Sequence, residues 1–112
     1  MIYRSLGKKG ELSIPSEFCN LLNFYSKQAI SITMEHGNIV VRKFDFSFCN
    51  HYDDLASIPN IGNIRYADAQ GRFTVPICYI KLLRFANKLH RYNRMTFMVT
   101  FEKGAIVYTL VN

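Results

Sequence analysis

Residues 4–15 recur at residues 65–76 with a constant offset of 61, and this internal repeat constrains the fold more than any other feature of the chain. Arg4, Gly10 and Pro15 meet the identical residues Arg65, Gly71 and Pro76, while Leu12/Phe73, Ser13/Thr74 and Ile14/Val75 keep the character of each position. Phe18/Tyr79, Leu21/Leu82, Leu22/Leu83 and Phe24/Phe85 extend the match without a gap. After six extra residues in the second copy, residues 35–40 align with 102–107, matching Glu35, Gly37, Ile39 and Val40 to Glu102, Gly104, Ile106 and Val107. Isolated Gly or Pro identities would mean little; an ordered series across the whole unit is harder to obtain by chance.

Each copy carries the same local signals. Residues 2–6 have the character of a short strand, and the polar turn that follows ends at Gly10, a residue that accepts positive φ without steric cost. Leu12 and Ile14 alternate with Glu11 and Ser13 in a second strand, and Pro15 closes it because proline cannot donate to a ladder but suits the start of a helix. Phe18, Leu21 and Leu22 fall at i, i+3 and i+4, predicting a short helix that buries that face. Ile30, Ile32 and Met34 then alternate with Ser31 and Thr33, and Gly37 or Asn38 supplies a hairpin turn into residues 39–42. The unit reads β-β-α-β-β. In the second copy Phe97, Val99 and Phe101 alternate with Thr96, Met98 and Thr100, and the helix that begins near Ile77 is expected to run towards Leu89.

A chain of 112 residues suits one compact domain, and a unit of about 45 residues could not bury its strands alone. The expected organisation is therefore a first repeat at residues 1–43, a connector at 44–63 and a second repeat at 64–112, both repeats sharing one core. The expected fold class is mainly β with two short helices: a closed or nearly closed β-barrel, built by pairing the copies about a pseudo-twofold axis, with the helices outside. A single chain is then already a complete barrel, so a monomer suffices.

The run Arg65-x-x-Asp68-x-x-Gly71-Arg72-x-x-Val75-Pro76, followed by a helix and a hairpin, resembles the signature of the AbrB/MazE/SpoVT swapped-hairpin DNA-binding domains. Arg4, Gly10, Ile14 and Pro15 form a weaker version of it. Two copies in one chain are similar to the arrangement in MraZ-like members of that family. The resemblance implies an intramolecular pseudo-dimer that binds double-stranded DNA through its first-hairpin surfaces. Its first-strand arginine falls on Arg4 and Arg65, its arginine after the turn glycine on Arg72, and its paired helical arginines on Cys19 and Asn20 in copy one and Ile80 and Lys81 in copy two. Glu11 stands in copy one where Arg72 stands in copy two, an asymmetry that argues against a palindromic site.

Charge agrees with a polyanionic partner. The net charge is +3 over residues 1–43, −3 over 44–63 and +6 over 64–112. Arginines on a strand and turn can fork onto phosphates or guanine edges, which makes Arg4, Arg65 and Arg72 candidates, joined by Lys8 and Lys9 in the first turn. The plainer alternative for Arg72 is a surface ion pair with Asp68. On the second helix Lys81, Arg84 and Lys88 lie at i, i+3 and i+7, opposite Tyr79, Leu82, Leu83 and Ala86, with Arg91 and Arg94 following; the pattern suits a phosphate-tracking face or a solvated helix equally.

The sixteen aromatics sit mostly at alternating or helical positions and read as core, although Phe44, Phe46 and Phe48 in the acidic connector offer a protein-partner surface at residues 44–54. Cys49-Asn50-His51 resembles a piece of a metal site, but Cys19, Cys78, His36 and His90 complete no zinc spacing, so neither metal nor cofactor is expected. No catalytic motif is present and no enzyme is expected. An odd number of scattered cysteines, no apolar leader and no membrane-length segment point to a cytoplasmic protein. The competing functional expectation is a protein-binding module, an antitoxin or inhibitor, that keeps the barrel without binding DNA.

Overall fold

A computed structural model describes residues 1–23, 28–44, 63–90 and 92–111 of the chain. Each repeat contributes four strands and a helix: β1 (Ile2–Ser5), β2 (Glu11–Ser13), α1 (Ser16–Leu22), β3 (Ala29–Glu35) and β4 (Asn38–Lys43), then β5 (Asn63–Tyr66), β6 (Arg72–Thr74), α2 (Ile77–Ala86), β7 (Thr96–Glu102) and β8 (Ala105–Leu110). The protein is mainly β, with a six-stranded antiparallel sheet in the order β1-β7-β8-β4-β3-β5 and a separate two-stranded sheet, β2-β6.

The pairings cross between the repeats. β1 lies beside β7 with Arg4 opposite Phe97, and β5 lies beside β3 with Arg65 opposite Ile30. β2 and β6 meet with Leu12 opposite Phe73, and β4 and β8 with Val40 opposite Val107. In both central ladders a residue faces its own repeat counterpart, which an approximate twofold axis between them requires. The flanking bonds obey the same relation: Leu6 N donates to Met95 O and Ala67 N to Gln28 O, both at 2.9 Å.

The hydrogen-bonded ring expected of a closed barrel is not formed. β1 and β5 are the two edges of the six-stranded sheet and do not pair with each other. Each is only four residues long, and the chain then turns into β2 or β6, each of which has the other as its only strand partner among the described residues.

Local chemistry explains the turns. His36 and Gly37 (φ 54° and 79°) and Lys103 and Gly104 (φ 49° and 77°) have the paired positive φ of two-residue hairpins whose twist matches that of the strands. α1 stops at Asn23, left-handed at φ 53°. The helix expected to reach Leu89 ends at Ala86 instead, because Lys88 turns left-handed at φ 55° while Lys88 N bonds Phe85 O and Leu89 N bonds Arg84 O, the Schellman pattern.

The helices bury only part of the faces expected: Phe18 and Leu22 of α1 and Tyr79 and Leu83 of α2 pack against the core, but not the leucines between them. Leu21 is 62% exposed and its counterpart Leu82 is 52% exposed. Ile80 and Leu83 are buried on α2, whereas α1 has no fully buried residue, being too short to present more than a turn to the sheets. The core lies between the sheets and includes Leu12, Ile30, Ile32, Ile39, Val41, Phe73, Phe97, Ile106 and Tyr108. Tyr3, Tyr66, Phe85 and Tyr92, expected to be largely core, are exposed. Phe44 is described and its N–H donates to Ala29 O at 2.9 Å. Residues 45–62 of the connector, with Phe46, Phe48 and Cys49-Asn50-His51, lie outside the described residues, as do Phe24 and Arg91. Among the described residues no helix is long and apolar enough to cross a membrane, and no three His, Cys, Asp or Glu side chains gather as a metal group.

Gly71 is where side-chain absence matters most. It has φ +75°, and a Cβ there would stand 3.1 Å from the Ile14 carbonyl oxygen, a backbone atom held by the bond from Ile14 N to Gly71 O at 2.8 Å. Gly71→Ala should lower stability by about 1–2 kcal/mol from the left-handed conformation alone, with the crowded carbonyl adding to it. Gly104→Ala, with nothing within 4 Å of its Cβ, has the conformational cost without the crowding. Urea melts of the two variants should therefore rank Gly71→Ala as the more damaging.

Candidate nucleic-acid interface

The crossed pairing creates two clefts related by the repeat. In the larger, the turn of residues 6–10 is fastened across to the second repeat: Val75 N donates to Gly10 O at 2.9 Å, and Leu6 N to Met95 O. Lys8 and Lys9 on this turn thereby come to line one cleft with Arg65 from β5, Arg84 from α2 and Arg94 from the segment before β7. The cleft has a volume of about 990 Å³. Its described lining contains five cations and no carboxylate.

The smaller cleft, about 500 Å³, is the repeat-related counterpart, formed by the turn of residues 67–71 with Arg4, Ser13, Ile14, Ser16, Cys19 and Asn20. Lys8 and Lys9 are replaced there by Ala69 and Gln70, Gly7 by Asp68, and Ile80 by Cys19. Its described lining holds one cation, Arg4, against one carboxylate, Asp68. A basic cleft focuses a positive potential between low-dielectric walls, whereas a neutral one does not.

Arg4 and Arg65 are held alike. Arg4 Nη1 donates to Tyr3 O at 2.8 Å and Arg65 Nη1 to Ile64 O at 2.9 Å, each guanidinium steadied by the preceding carbonyl. Arg84 Nη1 donates to His90 O and Asn93 O, both at 2.9 Å, so this residue orders the segment that carries Arg94 as well as lining the cleft.

Arg72 belongs elsewhere. Its Nε pairs with Asp68 Oδ2 at 3.0 Å, and its backbone N–H donates to Asp68 Oδ1 at 2.8 Å, as Gln70 N does at 2.9 Å. The Arg72 backbone N–H and guanidinium hold the Asp68 carboxyl below its ordinary range. Arg42 is engaged similarly: its guanidinium forks onto Glu35, and that bond, with one from Thr33, draws the Glu35 carboxyl down to about 2. Cys19, half-buried in the smaller cleft, has its thiol pushed upward by burial, which disfavours the reactive thiolate.

Of the basic residues singled out from the sequence, Lys8, Lys9, Arg65 and Arg84 therefore converge on the larger cleft and Arg4 on its counterpart. Arg72 and Lys81 line neither, although Lys81 is exposed on α2 one residue beyond the cleft-lining Ile80. Arg94, named in the sequence only as following the basic face of α2, joins the larger cleft as its fifth cation, and Tyr92, which carried no sequence signal for the site, also lines it without adding charge. Compared with protein-family models and with curated proteins, the chain matches none.

Proposed function

We propose that the chain is a small cytoplasmic double-stranded-DNA-binding protein, a transcriptional or mobile-element regulator of the swapped-hairpin kind, folded as an intramolecular pseudo-dimer. The observation that carries this reading is the cleft in which Lys8, Lys9, Arg65, Arg84 and Arg94 gather without a described carboxylate. Cations so placed exchange condensed counterions for direct phosphate contacts, which supplies affinity without sequence information. Because the counterpart cleft is neutral in its described lining, the two halves offer DNA different surfaces, and one orientation on a non-palindromic site is favoured over the symmetric docking of a true homodimer.

A fluorescence-anisotropy titration of a labelled duplex tests the reading. Saturable binding is expected, with a dissociation constant on the order of 10⁻⁴–10⁻⁶ M for sequence-independent contacts at physiological salt and tighter at low salt. No binding even at low salt overturns it.

A second reading has its own support. Cys78, Leu82 and Phe85 fall at i, i+4 and i+7 of α2 and all three are exposed, Phe85 at 85%. An apolar stripe of that kind suits a protein partner, as in an antitoxin or inhibitor. The duplex titration separates the two, since a module that had lost its DNA role would leave the labelled duplex unbound.

A further inference from the structure

The larger cleft holds more than cations. Tyr92 lines it and is 75% exposed, with its ring tilted against that of His90 at 5.2 Å between centroids and 31° between planes. Ile77, 66% exposed, also lines it, above a floor that includes Val75, Ile80 and Met95, all at least nine-tenths buried. A volume of about 990 Å³ lies at the upper end of the roughly 300–1,000 Å³ typical of clefts that enclose a small ligand.

Phosphate recognition alone uses the cations and gives no role to the exposed aromatic and aliphatic surface that Tyr92 and Ile77 present in the cleft. The bases of an intact duplex have their faces covered by stacking, so they cannot meet that surface either. An unpaired nucleotide offers both halves of the match, a charged backbone and a bare π-face, and base stacking on a protein aromatic tolerates any sequence.

We propose that this cleft receives an unpaired nucleotide of a DNA strand, with backbone phosphates among Lys8, Lys9, Arg65 and Arg94 and the base against Tyr92 and Ile77. The proposal rests on the nucleic-acid reading above and extends it from a duplex to a locally opened or single strand. The ring pair with His90 presents Tyr92 at a fixed tilt, and Arg84, through the carbonyls of His90 and Asn93, ties that pair to α2. The cleft is thus built from both repeats, with the phosphate-binding turn from the first and the stacking platform from the second.

The test compares a labelled oligothymidylate with a labelled duplex of the same length, by anisotropy at low salt, for the parent protein, Tyr92→Ala and Tyr92→Phe. Tyr92 is exposed, so both variants should retain the parent's far-ultraviolet circular dichroism. The parent should bind both probes. Tyr92→Ala should weaken oligothymidylate binding by roughly tenfold or more while duplex affinity stays within about twofold, and Tyr92→Phe, which keeps the ring, should restore the single-strand affinity. Unchanged single-strand affinity in Tyr92→Ala overturns the proposal, and so does an equal loss on both probes. Duplex binding without oligothymidylate binding also overturns it but leaves the duplex reading standing, whereas absence of both ends the nucleic-acid reading itself.

Discussion

Replacing Tyr108 by alanine should lower the free energy of unfolding by about 3–5 kcal/mol, a large part of the 5–15 kcal/mol typical of a whole domain. Tyr108 lies on β8 and is fully buried. Its ring meets Phe73 at 5.8 Å and Phe97 at 6.4 Å, both edge-on, so alanine removes the centre of an aromatic cluster as well as its own surface. Its hydroxyl donates to Ser13 O at 2.9 Å, tying the six-stranded sheet to the two-stranded one across 95 residues of sequence. Burial pushes the phenol far up its titration range, so the hydroxyl stays protonated and remains a donor. Tyr108→Phe keeps the ring and loses only that bond, at a cost of about 1 kcal/mol. Urea melts followed by circular dichroism separate the cases. An alanine variant no less stable than Tyr108→Phe would mean that the ring cluster contributes little to the junction between the sheets.

How much of this could be read from the sequence follows from which contacts are local. The offset of 61 already contains the Leu12/Phe73 partnership, and the second offset contains Val40/Val107, because a twofold axis sends each residue to its own counterpart. Turn positions were equally legible, since positive φ at Gly10, Gly37, Gly71 and Gly104 is backbone chemistry that needs no tertiary context. Helix faces were not. A spacing of i, i+3, i+4 says that Phe18, Leu21 and Leu22 share a side but not how much of a seven-residue helix the sheets can cover, and Leu21 was left outside. Closure failed to show for a similar reason: the length of β1 and β5 decides whether the edges can meet, and alternation does not measure it.

The candidate site was half legible. Arg65, Lys8 and Lys9 stood out as basic residues at turn and strand positions, but in separate repeats, and the greater charge of the second copy favoured that copy alone. The crossed strands instead carry the Lys8–Lys9 turn to the second repeat, through Val75 N to Gly10 O, so the basic cleft belongs to both. Arg72, in the best motif match, is committed to Asp68 by an ion pair that is only four residues long. Sequence spacing allowed that pair and the phosphate contact alike, and geometry separates them.

This separation yields the sharpest functional prediction. Joint replacement of Lys8, Lys9 and Arg65 by alanine removes three of the five cations of the larger cleft. Loss of three phosphate contacts should weaken binding uniformly across sequences, on the order of 100-fold in duplex affinity at low salt. With five phosphates neutralised, the parent's log–log salt slope should be about −4.5, and the triple variant should bring it to about −2. Arg4→Ala with Arg72→Ala is the matched control, since one residue lies in the neutral cleft and the other is paired with Asp68. That double variant should lose less than about threefold, as expected of surface charges whose contribution is already screened or paired. Melting temperatures of both variants within a few degrees of the parent's would assign the difference to binding rather than folding. If the double variant lost as much as the triple one, with the slope reduced alike, both clefts would be carrying phosphate and the asymmetric docking would be wrong.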